Sequence, residues 1–266
     1  MLRRWLQQLQ SRRERAAVSR RAIPDDLWKR TLVRYPFLQR KSVEDAAELR
    51  RLTSLLLDGK EFSAAGGLRL TDAMAVAIAA QAALPVLRMG VGAYDGFVGI
   101  VVHPDQVRAR RQQQDDDGVM HEYDEVLAGE AMQGGPVMLS WPDVRAAGLA
   151  NHGYNVVIHE FAHVLDMANG RADGVPPLPQ GLSVNAWVTA LQAELHAFSA
   201  RVDSGEQTLL DPYAAQGEEE FFAVTSEAFF TTAVAMKKEH PAWYGMLCAF
   251  YRQDPAEEGV TGRRRE

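Results

Sequence analysis

The sequence predicts an α+β fold, mostly helical, with a small mixed or antiparallel sheet. Three observations carry that expectation. Apolar residues recur at helical spacing along much of the chain, as in Leu49, Leu52, Leu55 and Leu56, or Trp187, Leu191, Leu195 and Phe198. Two stretches are apolar on nearly every side, DAMAVAIAAQAAL after Thr71 and YNVVIHEFAHVLD over residues 154–166, which places both inside a core. Strand-like runs are confined to residues 97–141, too few and too close together for alternating βαβ units.

Composition narrows the function classes. A chain of 266 residues can bury one large core or two small ones. No apolar run approaches the ~18 residues of a membrane span. The start has an arginine pair but no apolar run behind it, so neither a secretory nor a twin-arginine signal is expected. One cysteine, Cys248, sits among apolar neighbours and reads as a core residue; it permits no internal disulfide, and a cytoplasmic protein is expected. The formal net charge of −6 argues against general nucleic-acid affinity. Residues 1–21 nevertheless hold seven Arg against one Glu, which makes this arm +6 and the remainder −12. The arm reads as an amphipathic basic helix or as a solvated, partly frayed terminus.

Taken in order, Pro24-Asp25-Asp26 opens a helix to about Tyr35 with Leu27, Leu32 and Val33 inward. Ser42 caps the next helix, residues 60–67 form a turn-rich connection, and Thr71 caps the all-apolar helix that Pro85 stops. Residues 97–102 (FVGIVV) form a strand, 108–118 a polar loop, 119–126 a weakly alternating second strand and 137–141 (VMLSW) a third. His103 and His121 lie near strand ends and are ordinary polar loop residues unless a site recruits them. A short helix from Pro142 precedes the HEFAH helix, which ends at Asn169-Gly170. Ser183 then caps a long amphipathic helix with His196 on its polar side. Asp211-Pro212 opens one helix running to Lys237-Lys238, where positive charge suits the helix dipole. A last helix spans about 241–251.

HEFAH carries the chemistry. His159 and His163, four residues apart, share one helix face, so their imidazoles can converge on one zinc ion while Glu160 reaches a water bound to it. The alternative is two core histidines with satisfied hydrogen bonds. A catalytic zinc needs a third protein ligand. The helix after Asp211 offers Glu220 and Glu227, seven apart on one face and flanked by Phe221, Phe222, Val224, Phe229 and Phe230. Carboxylates buried there need a cation or strong donors. One would be ligand and the other its partner's support, and helical spacing does not rank them. Asp166 either orients a histidine or ends the helix. The VMLSW strand, if it is an edge, can pair with an extended peptide.

The order HEFAH, Tyr213-Ala214-Ala215, Glu220, Phe222-Ala223-Val224, Ser226-Glu227, Phe229-Phe230 resembles the Mlc titration factor A family of bacterial zinc peptidases. The resemblance extends upstream through Ala79 to Gln81, Leu84-Pro85-Val86 and Leu139-Ser140-Trp141, and covers most of residues 24–254. It implies a gluzincin-type fold and one Zn2+ per chain on His159, His163 and Glu220. That family resembles the catalytic domain of anthrax lethal factor, in which a Tyr seven residues before the ligand Glu assists catalysis. Carried over, Tyr213 is the transition-state donor, Glu160 the general base and Glu227 a supporting partner. The implied layout is a basic arm (1–22), a single metallopeptidase domain (23–256) and a disordered tail (257–266). The resemblance further implies binding of the glucose-responsive repressor Mlc. Function therefore divides between a zinc peptidase acting on a peptide or protein, aminopeptidase activity included, and a non-catalytic protein that sequesters a repressor. Direct nucleic-acid binding through the arm conflicts with the acidic body.

Overall fold

The computed structural model describes residues 2–114, 120–148 and 153–261. The chain begins with α1 (Leu2–Arg20), α2 (Asp25–Arg34), α3 (Val43–Gly59), β1 (Glu61–Ala64) and α4 (Asp72–Ala83). The β region holds β2 (Gly99–His103), β3 (Val107–Gln114), β4 (Met120–Leu127), β5 (Gly129–Ala131) and β6 (Val137–Ser140). Helices α5 (Trp141–Ala146), α6 (Val156–Asp166), α7 (Val184–Asp203), α8 (Glu218–Thr231), α9 (Ala233–Glu239), α10 (Pro241–Tyr251) and α11 (Pro255–Thr261) complete it. None of the described helices is long and apolar enough to cross a membrane.

The α+β expectation holds. Side-chain caps start the helices where the sequence places them: Ser42 Oγ accepts from Asp45 N, Thr71 Oγ1 from Met74 N and Ser183 Oγ from Ala186 N. The four-stranded sheet has the order β1-β2-β6-β5 and is mixed, with β1, β2 and β6 parallel and β5 antiparallel to β6. Helix α6 is buried by α4, α8 and β5. Its Phe161 lodges edge-on between Tyr94 and Phe97, ring centroids 4.9 and 5.3 Å away. On the far side of α8, Phe222 stacks its edge on Trp187 of α7 at 5.9 Å, and Trp187 meets Trp243 of α10 at 4.7 Å. Two aromatic clusters thus fix α6 and α8 from opposite sides. Rigid backing of this kind lets side chains between two helices keep one geometry.

Several expectations are corrected. Residues 60–67 contain β1, a strand too short to alternate visibly, and 108–118 are not simply a loop, because β3 pairs antiparallel with β4 over residues 107–114 and 120–127. The strand 137–141 is not an edge: β6 lies between β2 and β5. Val33 points to solvent; Leu27 is buried as expected, joined by Trp28 and Thr31, and Leu32 is half-buried. Of the two readings of the arginine-rich stretch the helical one holds: it forms α1, docked on α3 through Ala17, Arg20 with Asp58, and Glu14 with Arg51. The helix expected from Asp211 to Lys238 is three pieces: a 3-10 turn (Pro212–Gln216), α8 and α9. Asp211 caps the first by accepting from Tyr213 N at 2.9 Å. Gly217 then breaks the turn with extended backbone before α8 begins. Cys248 is half-buried, and burial raises its thiol pKa to about 11.

Candidate metal centre

Helix α6 is aimed by the residue that caps it, Asn155. Asn155 Oδ1 accepts from Ile158 N at 3.0 Å, capping α6, while Asn155 Nδ2 donates to Gln81 Oε1 of α4 at 3.0 Å. Gln81 is fully buried and also donates to the carbonyl of Ala77. The sequence carried a signal for this link, a lone glutamine in an otherwise apolar helix, and sequence reasoning passed over it. One turn into α6, His159 and His163 face α8.

Three donor atoms meet there. His159 Nε2 and His163 Nε2 are 3.2 Å apart, and Glu220 Oε2 lies 3.2 Å from the first and 3.5 Å from the second. Among the described residues, these three form the group able to hold a metal ion. Ligand atoms ~2.0–2.2 Å from one tetrahedral centre are roughly 3.3–3.6 Å apart, so the triad fits a four-coordinate cation. All three side chains keep some exposure, between 12% and 17%, which leaves a face open to the cleft.

Around the triad the carboxylates take separate roles. Glu227, 4% exposed, accepts from His159 Nδ1 at 2.8 Å and from the backbone N–H of Asn155. With a cation bound, that contact would keep the proton of His159 on Nδ1 and leave the Nε2 lone pair for the ion. Glu160 points the other way, toward β5, and takes a backbone hydrogen bond from Ala131. It is 5% exposed and sits where residue 129 has no side chain: a Cβ on Gly129 would lie 2.6 Å from Glu160 Oε1. Asp166 orients neither histidine. It is fully buried and accepts from Gly174 N at 2.7 Å, holding the segment that crosses α8, and Trp187 Nε1 donates to the Gly174 carbonyl at 2.8 Å.

Protonation follows from this crowding. Burial works to lower the pKa of His159, but hydrogen bonds with Glu220 and Glu227 and the charges of Glu227 and Glu160 hold it well above its ordinary value. Burial pushes Glu220 up, but the two imidazoles outweigh it and keep its carboxylate well below the usual range. Burial raises Glu160 and Glu227, against the lowering pull of the histidines. Three carboxylates around two imidazoles make a cation-attracting nest.

Tyr213 stands at the rim on the 3-10 turn, 37% exposed, its ring centroid 6.2 Å from that of His159. The break at Gly217 separates it from α8, so its approach to the histidines does not come from a shared helix face with Glu220. His103 ends β2 paired with Ser140, His196 is exposed, and neither belongs to the cluster. The backbone of His121 lies in β4 opposite Gln113, and its side chain is outside the described residues.

Comparison with known proteins places these features in context. The model of the glucose-regulated metallopeptidase M90 family matches residues 8–252. Mlc titration factor A of Edwardsiella ictaluri is 42% identical over 193 residues, covering 71% of this chain and 73% of its own. The proteins of that name from Salmonella gallinarum and Yersinia pestis are both 35% identical; they cover 84% and 83% of this chain, and 84% and 82% of their own length.

Proposed function

Because the chain belongs to the glucose-regulated metallopeptidase M90 family, we propose that it is a zinc-dependent peptidase with His159, His163 and Glu220 as ligands. The observation that carries this reading is the triad of donor atoms at 3.2, 3.2 and 3.5 Å beside a buried acid that is not one of them. Zinc, when bound, supplies a Lewis acid that polarises a carbonyl and lowers the pKa of water toward ~7. Glu160 accepts a proton from the attacking water and returns it to the leaving amine. Glu227 holds His159 in the tautomer that presents Nε2. Tyr213 donates from the rim to the developing oxyanion. β5 is an outer strand of the sheet, and its pairing with β6 turns the backbone groups of Gly129 and Ala131 outward. Ala131 N–H is taken by Glu160, and the rest form an edge to which an extended peptide can add.

A second reading is favoured by the relatives' printed name: binding of an Mlc-like repressor in the cytoplasm, on a surface apart from the cleft. Chelation tests both. Metal-stripped protein is expected to lose hydrolysis of a quenched peptide and to regain it with Zn2+, while titration with the repressor shows unchanged affinity. Hydrolysis that survives chelation and metal analysis showing no zinc would sink the peptidase reading. Repressor binding that disappears with the metal would make the two functions one.

Tyr213→Phe is expected to lower kcat by about 10²–10³, as for other oxyanion donors, with zinc content and Tm unchanged. Exposure of the ring at the rim makes the substitution structurally mild. An unaltered kcat would take Tyr213 out of the mechanism.

A further inference from the structure

An apolar compartment beside the triad is not used by the chemistry above. It is a cavity of about 350 Å3 walled by Leu127, Val156, Leu209, Leu210, Val224 and Ala228, and it opens at His159, Glu160 and Tyr213. Three acids touch its lining and each has a partner: Asp211 accepts from Tyr213 N, Glu227 from His159 and Asn155, and Glu160, at the opening, from the backbone of Ala131. With those acids already partnered and the other named walls apolar, a charged group entering it would be desolvated with little to compensate it. Its volume lies in the ~300–1,000 Å3 range of small-ligand pockets, ample for one branched or aromatic side chain.

The sheet edge gives the cavity a direction. Leu127, Ala128 and Gly129 border it. A second cavity, of about 310 Å3, shares Leu127, Gly129, His159, Glu160 and Tyr213 with the first; Ala128 lines only the first, whereas the second extends along Glu130 and Ala131 to Met167 and Glu219. All three donor residues line this second cavity, and the apolar one joins it at His159, Glu160 and Tyr213. An extended peptide adds best antiparallel to β5, the slightly more stable pairing. Its chain then runs from the Ala131 end to the Gly129 end, and the residues after the scissile bond arrive at the apolar cavity.

Resting on the peptidase reading, we propose that this cavity is the subsite for the residue on the carboxyl side of the scissile bond. It selects large apolar side chains, leucine or phenylalanine, over charged ones. Val156 and Leu209 contribute to this choice from opposite sources: Val156 is one turn before His159 on α6, and Leu209 comes from the segment leading to the Asp211 cap.

The test uses zinc-loaded protein and four succinyl-type hydroxamates, whose substituent mimics the residue after the scissile bond: isobutyl, benzyl, carboxymethyl and aminobutyl. Isobutyl and benzyl are expected to bind about tenfold or more tighter than the charged pair. In Leu209→Asp that preference should shrink, with aminobutyl gaining on isobutyl. Leu209 is half-buried, and the series on the parent protein stands even if the variant does not fold. Equal binding of all four, tighter binding of a charged one, or no binding of any overturns the subsite. Peptides varied at the same residue are cleaved in parallel. Cleavage indifferent to that residue removes the subsite and leaves the peptidase. The expected hydroxamate order without cleavage of any peptide leaves the subsite and removes the peptidase.

Discussion

Glu160→Gln is expected to keep its metal and lose nearly all hydrolysis, a fall in kcat of about 10²–10⁴. Glutamine matches glutamate in size, and size matters here because the side chain fills the space left by Gly129. The three converging donor atoms belong to other residues, so metal affinity has no reason to change. What the amide lacks is a basic site. A carboxylate oxygen can take the proton of water, and an amide oxygen of the same shape cannot. Metal content by mass spectrometry and kcat on one peptide are the two readouts. If zinc leaves together with activity, Glu160 has a structural role and the proposed mechanism fails.

Glu220→Gln is expected to weaken metal binding well beyond the roughly 10–100-fold anticipated for Glu227→Gln. The two residues share a helix face but meet different atoms of the same imidazole. Glu220 Oε2 lies with the Nε2 atoms, whereas Glu227 Oε1 lies on Nδ1. Changing Glu220 removes a donor of negative charge from the triad itself. Changing Glu227 loosens the tautomer of His159 and leaves the Asn155 N–H an amide oxygen to donate to. Competition with a chromophoric chelator measures both affinities. A larger loss in Glu227→Gln would exchange their assignments, and small equal losses would move the third ligand to Glu218 or Glu219.

The sequence by itself determined the helix that carries HEFAH, because four-residue spacing and a wholly apolar flank leave one geometry for His159 and His163. It also determined that Glu220 and Glu227 face that helix, since acids embedded among phenylalanines are costly anywhere else. Most caps were legible too, being local hydrogen bonds between residues three apart. Tertiary structure decided the rest. Which of the two glutamates meets the Nε2 atoms depends on the offset of α8 along α6, and a period of seven is blind to translation along the axis. The position of Tyr213 depends on the break at Gly217, which separates the 3-10 turn from α8. The edge strand beside the site is β5, three residues long, too short for alternation to register and recognisable only by its pairing with β6. Gly129 has its meaning only there: a missing Cβ matters because the carboxylate that needs the space comes from a helix 31 residues further along the chain. Local spacing fixes which side chains share a face, and only packing between distant segments fixes what that face meets.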